Sequence, residues 1–276
     1  MRSRIIIPLL TLVLATSCGE YEKLLKSTDF DLKKEKAKEY YEAGKYVKST
    51  ELIEQILPRF RASDSGEELT WMVAQSYFGM KQYELAGSYF STYVEQFGYG
   101  KHVEEATYMI AICDYNISPR AELDQDNTGK AIEDFKLFIA RYPASSRIDE
   151  CKKLMNELQE RLVEKSYLSA KLYYDMEQYK AAVTALSNSL KEYADTKYRE
   201  EMMYLKLKSL FLFAENSYEI RKKERYQATL DDYYSFMEEF PKSSYAREIK
   251  KIYDDTAKYL KIETSNTEAD TQANTQ

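Results

Sequence analysis

The side chains best suited to catalysis or metal binding are few and scattered. Histidine occurs once, at His102, with no cysteine or acid at metal-ligand spacing, so it reads as a surface residue at a helix start. Asp124-Gln125-Asp126-Asn127-Thr128-Gly129 has acids at the first and third positions of a calcium loop and glycine at the sixth. The twelfth position needs a bidentate carboxylate, and Phe135 stands there. The segment therefore reads as a polar loop, with Asn127 or Thr128 capping the helix that follows. Glu104-Glu105 and Glu238-Glu239 are paired acids on helical surfaces. Glycoside hydrolysis needs two carboxylates facing each other across a cleft, and nothing in the sequence brings these together. Lys222-Lys223-Glu224-Arg225 reads as a solvated helix end before the last repeat helix. Cys113 and Cys151 read as packed thiols rather than a disulfide. No phosphate-binding loop, dinucleotide fingerprint or nucleophile elbow is present. These residues point away from an enzyme and require neither metal nor cofactor.

The elements that could position a binding surface are helical. The 276 residues include 26 Tyr and 11 Phe but only 8 Gly and 5 Pro, which disfavours a turn-rich β fold. Acids outnumber bases 46 to 40, which argues against nucleic-acid binding through a broad basic surface. A helical pattern runs from about Lys33 to Ile262, without strand-like alternation.

The N-terminus is an address. Arg2 and Arg4 precede an apolar run at 5–14, too short for the ~20 residues that span a bilayer but suited to a signal peptide. Leu14-Ala15-Thr16-Ser17-Cys18 then resembles a bacterial lipobox, which implies cleavage of residues 1–17 and lipid attachment at Cys18. Several acyl chains anchor stably where one is marginal. Gly19, rather than an inner-membrane retention Asp, implies transfer to the outer membrane. Residues 18–32 are expected to be a lipid-anchored linker, and 263–276 a disordered tail without apolar periodicity.

Between these ends a frame recurs. Tyr40-Tyr41, Tyr77-Phe78 and Tyr173-Tyr174 are each followed by a Tyr five residues after the second aromatic: Tyr46, Tyr83 and Tyr179. A small residue comes three further on: Ser49, Ala86 or Ala182. Gly44 and Gly79 mark the turn between helices in two of these units. Phe60, Phe97, Tyr142, Tyr193 and Phe240 close five units, and four of them are followed by a potential cap: Ser63, Ser145, Thr196 and Ser243. The units fall at roughly 33–62, 67–99, 103–144, 146–195 and 197–242. Long inner connections are expected at 116–128 and 215–223, and a further helix from Ser244 to about Ile262 caps the array.

This frame resembles the tetratricopeptide repeat, a helix–turn–helix of about 34 residues with small residues where its helices cross. The implied fold is an all-α solenoid over residues 33–262, in which stacking buries what one pair cannot. By the same resemblance, the first helix of each unit lines a groove with Lys38 and Tyr41, with Trp71, Gln75 and Phe78, and with Tyr167 and Tyr174. Exposed aromatics there would suit an extended peptide or a partner's loop.

The lipobox, the repeats, the stretch 123–146 ending in Tyr142-Pro143-Ala144-Ser145-Ser146, and the stretch 167–196 together resemble the BamD (YfiO) family. That resemblance implies a non-enzymatic lipoprotein on the periplasmic face of the outer membrane. It implies a POTRA-bearing, BamA-like barrel protein and unfolded outer-membrane proteins as partners, membrane contact through the lipid, and no nucleic acid. Another periplasmic repeat adaptor, in cell division or the cell wall, is the alternative. A SusD-type nutrient-binding lipoprotein fits less well, since such chains embed their repeats in a larger body.

Overall fold

A computed structural model describes residues 19–61 and 63–261, and these are all-α. A helical stretch at 19–26 is followed by eleven helices. They are α1 (Phe30–Glu42), α2 (Tyr46–Phe60), α3 (Asp64–Gly79), α4 (Tyr83–Gln96), α5 (Val103–Ile117) and α6 (Asp126–Arg141). Then come α7 (Ile148–Asp175), α8 (Tyr179–Glu192), α9 (Arg199–Glu215), α10 (Glu219–Glu239) and α11 (Ala246–Leu260). The expected signal peptide, Cys18 and the tail lie outside the described residues.

The chain forms two compact units, residues up to 159 and from 160 onward. In the first, helices α1 to α6 pack each on the next. In the second, α8 to α11 do the same, and α7 supplies Tyr167 and Ala170 to the core.

The small residues of the frame lie where paired helices cross. Ala86, Ala131 and Ala182 are fully buried. Ser49 is too, and its hydroxyl donates to the Ala37 carbonyl at 2.8 Å, so the polar atom is satisfied. Around them lie fully buried Phe90, Tyr93, Phe135 and Phe138 in the first unit and Phe236 and Leu186 in the second. Each such side chain contributes about 1.5–3 kcal/mol through removal from water.

The paired aromatics mark a turn as well as a core. In each complete frame the helix ends in two reverse bonds. Gly44 N–H donates to Tyr41 O and Lys45 N–H to Tyr40 O, and the same pattern joins Lys81 and Gln82 to Phe78 and Tyr77. Glu177 and Gln178 repeat it on Tyr174 and Tyr173. The left-handed residue is Gly44 in the first turn but Lys81 and Glu177 in the others, with φ of 60° and 58°. Gly79 therefore serves packing rather than turn conformation. A Cβ there would lie 2.6 Å from the Tyr46 ring.

Other expectations shift. Residues 19–26, expected as linker, are helical and packed on the first repeat through Tyr21. The connection after α9 is only 216–218, so the Lys222–Arg225 cluster lies within α10. Ser63 caps α3, but Ser145, Thr196 and Ser243 instead accept from the N–H two residues on, one turn before their helices. Gln125, not Asn127 or Thr128, is the N-cap of α6. Cys113 and Cys151 are both free and buried.

Candidate functional site

The expected groove residues occupy three repeated positions, and each position has its own physical role. Tyr41, Phe78 and Tyr174 sit just before the turns. Their rings rest on Tyr46, Tyr83 and Tyr179 at centroid distances of 6.1, 5.4 and 6.2 Å. All three are half-buried, so each turns one side to its own turn and keeps another toward solvent. Burial, then Tyr46 and Glu105, push the Tyr41 hydroxyl above its ordinary pKa, so it stays a neutral donor at neutral pH.

Trp71 and Tyr167 share a second position, and both stack on a planar group just ahead of the next unit. Trp71 lies on His102 at 4.3 Å and 10°, with Phe90 and Tyr93 against its edges. Tyr167 lies on Tyr198 at 4.3 Å and 3°. Tyr204 repeats this on Tyr245 at 4.0 Å and 7°, and the Arg147 guanidinium stands 4.3 Å from the Tyr108 ring. These are stacks between repeats. Tyr167 is only 7% exposed and belongs to the core rather than to a groove. Trp71 is half-buried and partly closed off by its own neighbours. His102 is a stacking platform, not a bare surface residue.

The platforms carry a sequence signal that lies outside the repeat frame itself. His102, Arg147, Tyr198 and Tyr245 each stand five residues after a closing aromatic. Those aromatics are themselves the C-caps of α4, α6, α8 and α10.

Ion pairs fill the third position. Lys38 on α1 pairs with Glu68 on α3. Lys171 on α7 pairs with Glu201 on α9 at 3.8 Å, and Lys208 on α9 with Glu248 on α11 at 2.7 Å. On α3 the equivalent residue is Gln75, and Glu105 on α5 turns instead to Arg147 at 3.3 Å. Gln75 is half-buried between Trp71 and Phe78, one turn away on either side.

Tyrosine hydroxyls tie the rest of this surface down. Tyr93 donates to Glu67 at 2.6 Å, and Tyr204 to Glu248 at 2.7 Å. Burial and these carboxylates push both phenols up to about 12. No group of three metal-ligating side chains occurs among the described residues. No described helix is long and apolar enough to cross a membrane.

Antiparallel helix pairs with small crossing residues, reverse-bonded turns and stacks from one pair to the next define a tetratricopeptide-repeat protein. The outer membrane lipoprotein family YfiO matches residues 33–210, and the chain belongs to that family. Its fold is similar to the TPR2AB domain of yeast Sti1 in complex with pHSP90, at 15% identity over 83% of this chain and 98% of that one, TM-score 0.36. It is also similar to a Podosopora anserina putative kinesin light chain with TPR-like repeats, at 14% identity over 77% and 97%, TM-score 0.31. No curated protein matches the sequence.

Proposed function

We propose that the chain is a non-enzymatic scaffold of the outer-membrane β-barrel assembly machinery, anchored on the periplasmic face by acylated Cys18. It binds the POTRA domains of a BamA-like barrel protein and helps receive unfolded outer-membrane proteins. Membership of an outer membrane lipoprotein family supports the location. The observation that carries the binding role is the half-buried row Tyr41, Gln75 and Phe78, at the one rung where a glutamine replaces the interhelical lysine. An amide beside aromatic rings suits the backbone and side chains of an extended segment. An unfolded barrel strand ending in aromatic residues would suit that chemistry.

Affinity purification of the tagged full-length protein from detergent-solubilised envelopes tests the reading. Co-purification of a POTRA-bearing outer-membrane barrel protein is expected. Recovery of division or cell-wall proteins alone overturns it.

A further inference from the structure

The helical stretch at 19–26 is locked onto the first repeat. Tyr21 is 9% exposed, and its hydroxyl lies 2.7 Å from Glu51 Oε2 and 3.2 Å from the Lys48 carbonyl. Its ring meets Tyr40 edge-on at 5.6 Å, with the Lys48 ammonium 4.7 Å above it. From α1, the buried Lys33 ammonium donates to Leu25 O at 2.9 Å and to Gln55 Oε1 of α2 at 2.7 Å. One cation thus ties the end of the stretch to both helices of the repeat. Between the stretch and α1 runs a groove of about 440 Å³, whose lining includes Glu20, Lys23, Leu32, Lys36, Glu39 and Tyr40.

We propose that this groove and its flanking lysines are a membrane-docking surface that seats on zwitterionic phospholipid headgroups and holds the first repeat directly against the bilayer. The inference rests on acylation of Cys18, as in the proposed function. Consecutive Cα atoms are about 3.8 Å apart, so no flexible spacer separates an acylated Cys18 from the docked stretch. Glu20 and Lys23 stand one and four residues beyond Gly19, the first described residue, so both lie within about 6 Å of it along the helix axis. The groove then lies at headgroup level, inside a Debye length of about 8–10 Å.

The lining chemistry fits that layer. Lys23 and Lys36 offer ammonium groups to phosphate, and Glu20 offers a carboxylate to a headgroup amine. Leu32, 39% exposed, with Leu24 and Tyr40, offers an apolar floor of the kind found at membrane interfaces. Lys36 is held only by its exposed pairing with Glu39 at 2.8 Å, which a headgroup can exchange at little cost. The mixed charge favours a zwitterion over a purely anionic lipid.

The test uses the full-length acylated protein in phosphatidylethanolamine-rich vesicles carrying a nickel-chelating lipid. Nitroxides are placed singly beside the groove at Lys26→Cys and Glu35→Cys, both exposed and outside its lining, and, two repeats away, at Lys136→Cys. The buried Cys113 and Cys151 are shielded from labelling. Relaxation by the surface nickel is expected to be severalfold greater at positions 26 and 35 than at 136. A 12-residue Gly/Ser insert between Gly19 and Glu20, with a reach of about 20 Å, is expected to level the three. Equal relaxation at all three sites in the acylated protein without the insert overturns the proposal. The mass of the N-terminal peptide reads acylation separately, and an unmodified Cys18 overturns both this inference and the anchor it rests on.

Discussion

The faces presented by the first helices of the repeats differ between the two units. In the second, Lys171–Glu201 and Lys208–Glu248 pair in succession, and Tyr167 and Tyr204 lie almost parallel on Tyr198 and Tyr245. In the first, the ion pair at Lys38–Glu68 gives way to Gln75, and the platforms are a histidine and an arginine. The more open part of the frame is therefore the face around Trp71 and Gln75: Trp71 is half-exposed, whereas Tyr108 in the same unit and Tyr167 and Tyr204 in the second are buried. Packing sets where a planar group must stand; the choice of group sets how much of the face remains for a ligand.

The largest expected effect breaks the closed face. Tyr167→Ala removes a buried ring, its stack and its bond with Glu201, and should cost about 3–5 kcal/mol. Trp71→Ala removes a half-exposed ring and should cost about 2–3 kcal/mol by the same reasoning. Trp71 is the sole tryptophan, so its fluorescence reports the first unit while far-UV circular dichroism reports both. Urea unfolding of Tyr167→Ala should show an early dichroism transition without an early fluorescence change. Coincident transitions would show that the units unfold as one.

Phe78→Ala and Tyr174→Ala compare the same turn position across the units. If the open face receives clients, Phe78→Ala should weaken photo-crosslinking to an aromatic-ended barrel peptide about 30-fold, or about 2 kcal/mol, with helicity retained. Tyr174→Ala should leave crosslinking near wild type. Equal losses from both would erase the functional distinction, and no loss from Phe78→Ala would sink the assignment of the first unit's face.

A third contrast is electrostatic. In the third repeat Asp114 on α5 faces Asp134 on α6, with Lys130 3.1 Å from Asp114; in the fifth, Lys206 on α9 faces Asp232 on α10. Burial, then the bond to Asp114, pushes Asp134 from 3.8 up to about 7. The folded state thus keeps a proton that the unfolded chain has lost, and stability falls as pH rises from about 4 to about 7, then levels. Asp134→Asn supplies a permanent donor. It should flatten that fall and stabilise the first unit at pH 8 by about 1–2 kcal/mol after solvent screening, read by tryptophan fluorescence in urea. A fall that persists in the variant would assign it to other groups.

What the sequence showed and what it hid follow from the range of the forces involved. The turns were legible because reverse bonds at a helix end are local, and Tyr40-Tyr41, Tyr77-Phe78 and Tyr173-Tyr174 recur at fixed offsets from the next helix. Ser49, Ala86 and Ala182 were legible because close crossing tolerates only small residues. Trp71 and Tyr167 were both placed at one repeated position, yet whether that position faced solvent depended on residues about 30 positions later. His102 and Tyr198 supply that answer, and no local pattern around Trp71 or Tyr167 contains it. The docking of 19–26 was hidden for the same reason, since Lys33 reads as a surface charge until Leu25 and Gln55 are brought to it.

The smallest expected effect concerns what the two units share. Gly44, Lys81 and Glu177 occupy the same left-handed position in equivalent turns, yet only the first is glycine. A side chain there costs about 1–2 kcal/mol in the folded state. Glycine in its place returns about 0.4–1 kcal/mol of that through the entropy of the unfolded chain. The difference keeps one sign, so Lys81→Gly and Glu177→Gly should each stabilise by about 0.5–1 kcal/mol, and Gly44→Ala should destabilise by about 1 kcal/mol. Shifts in the urea midpoint at constant slope measure all three. Matching gains at Lys81 and Glu177 would place the units' divergence away from the turns, on the faces around Trp71 and Tyr167. A loss at either glycine variant would mean that the lysine or glutamate side chain stabilises its turn by more than the strain it imposes.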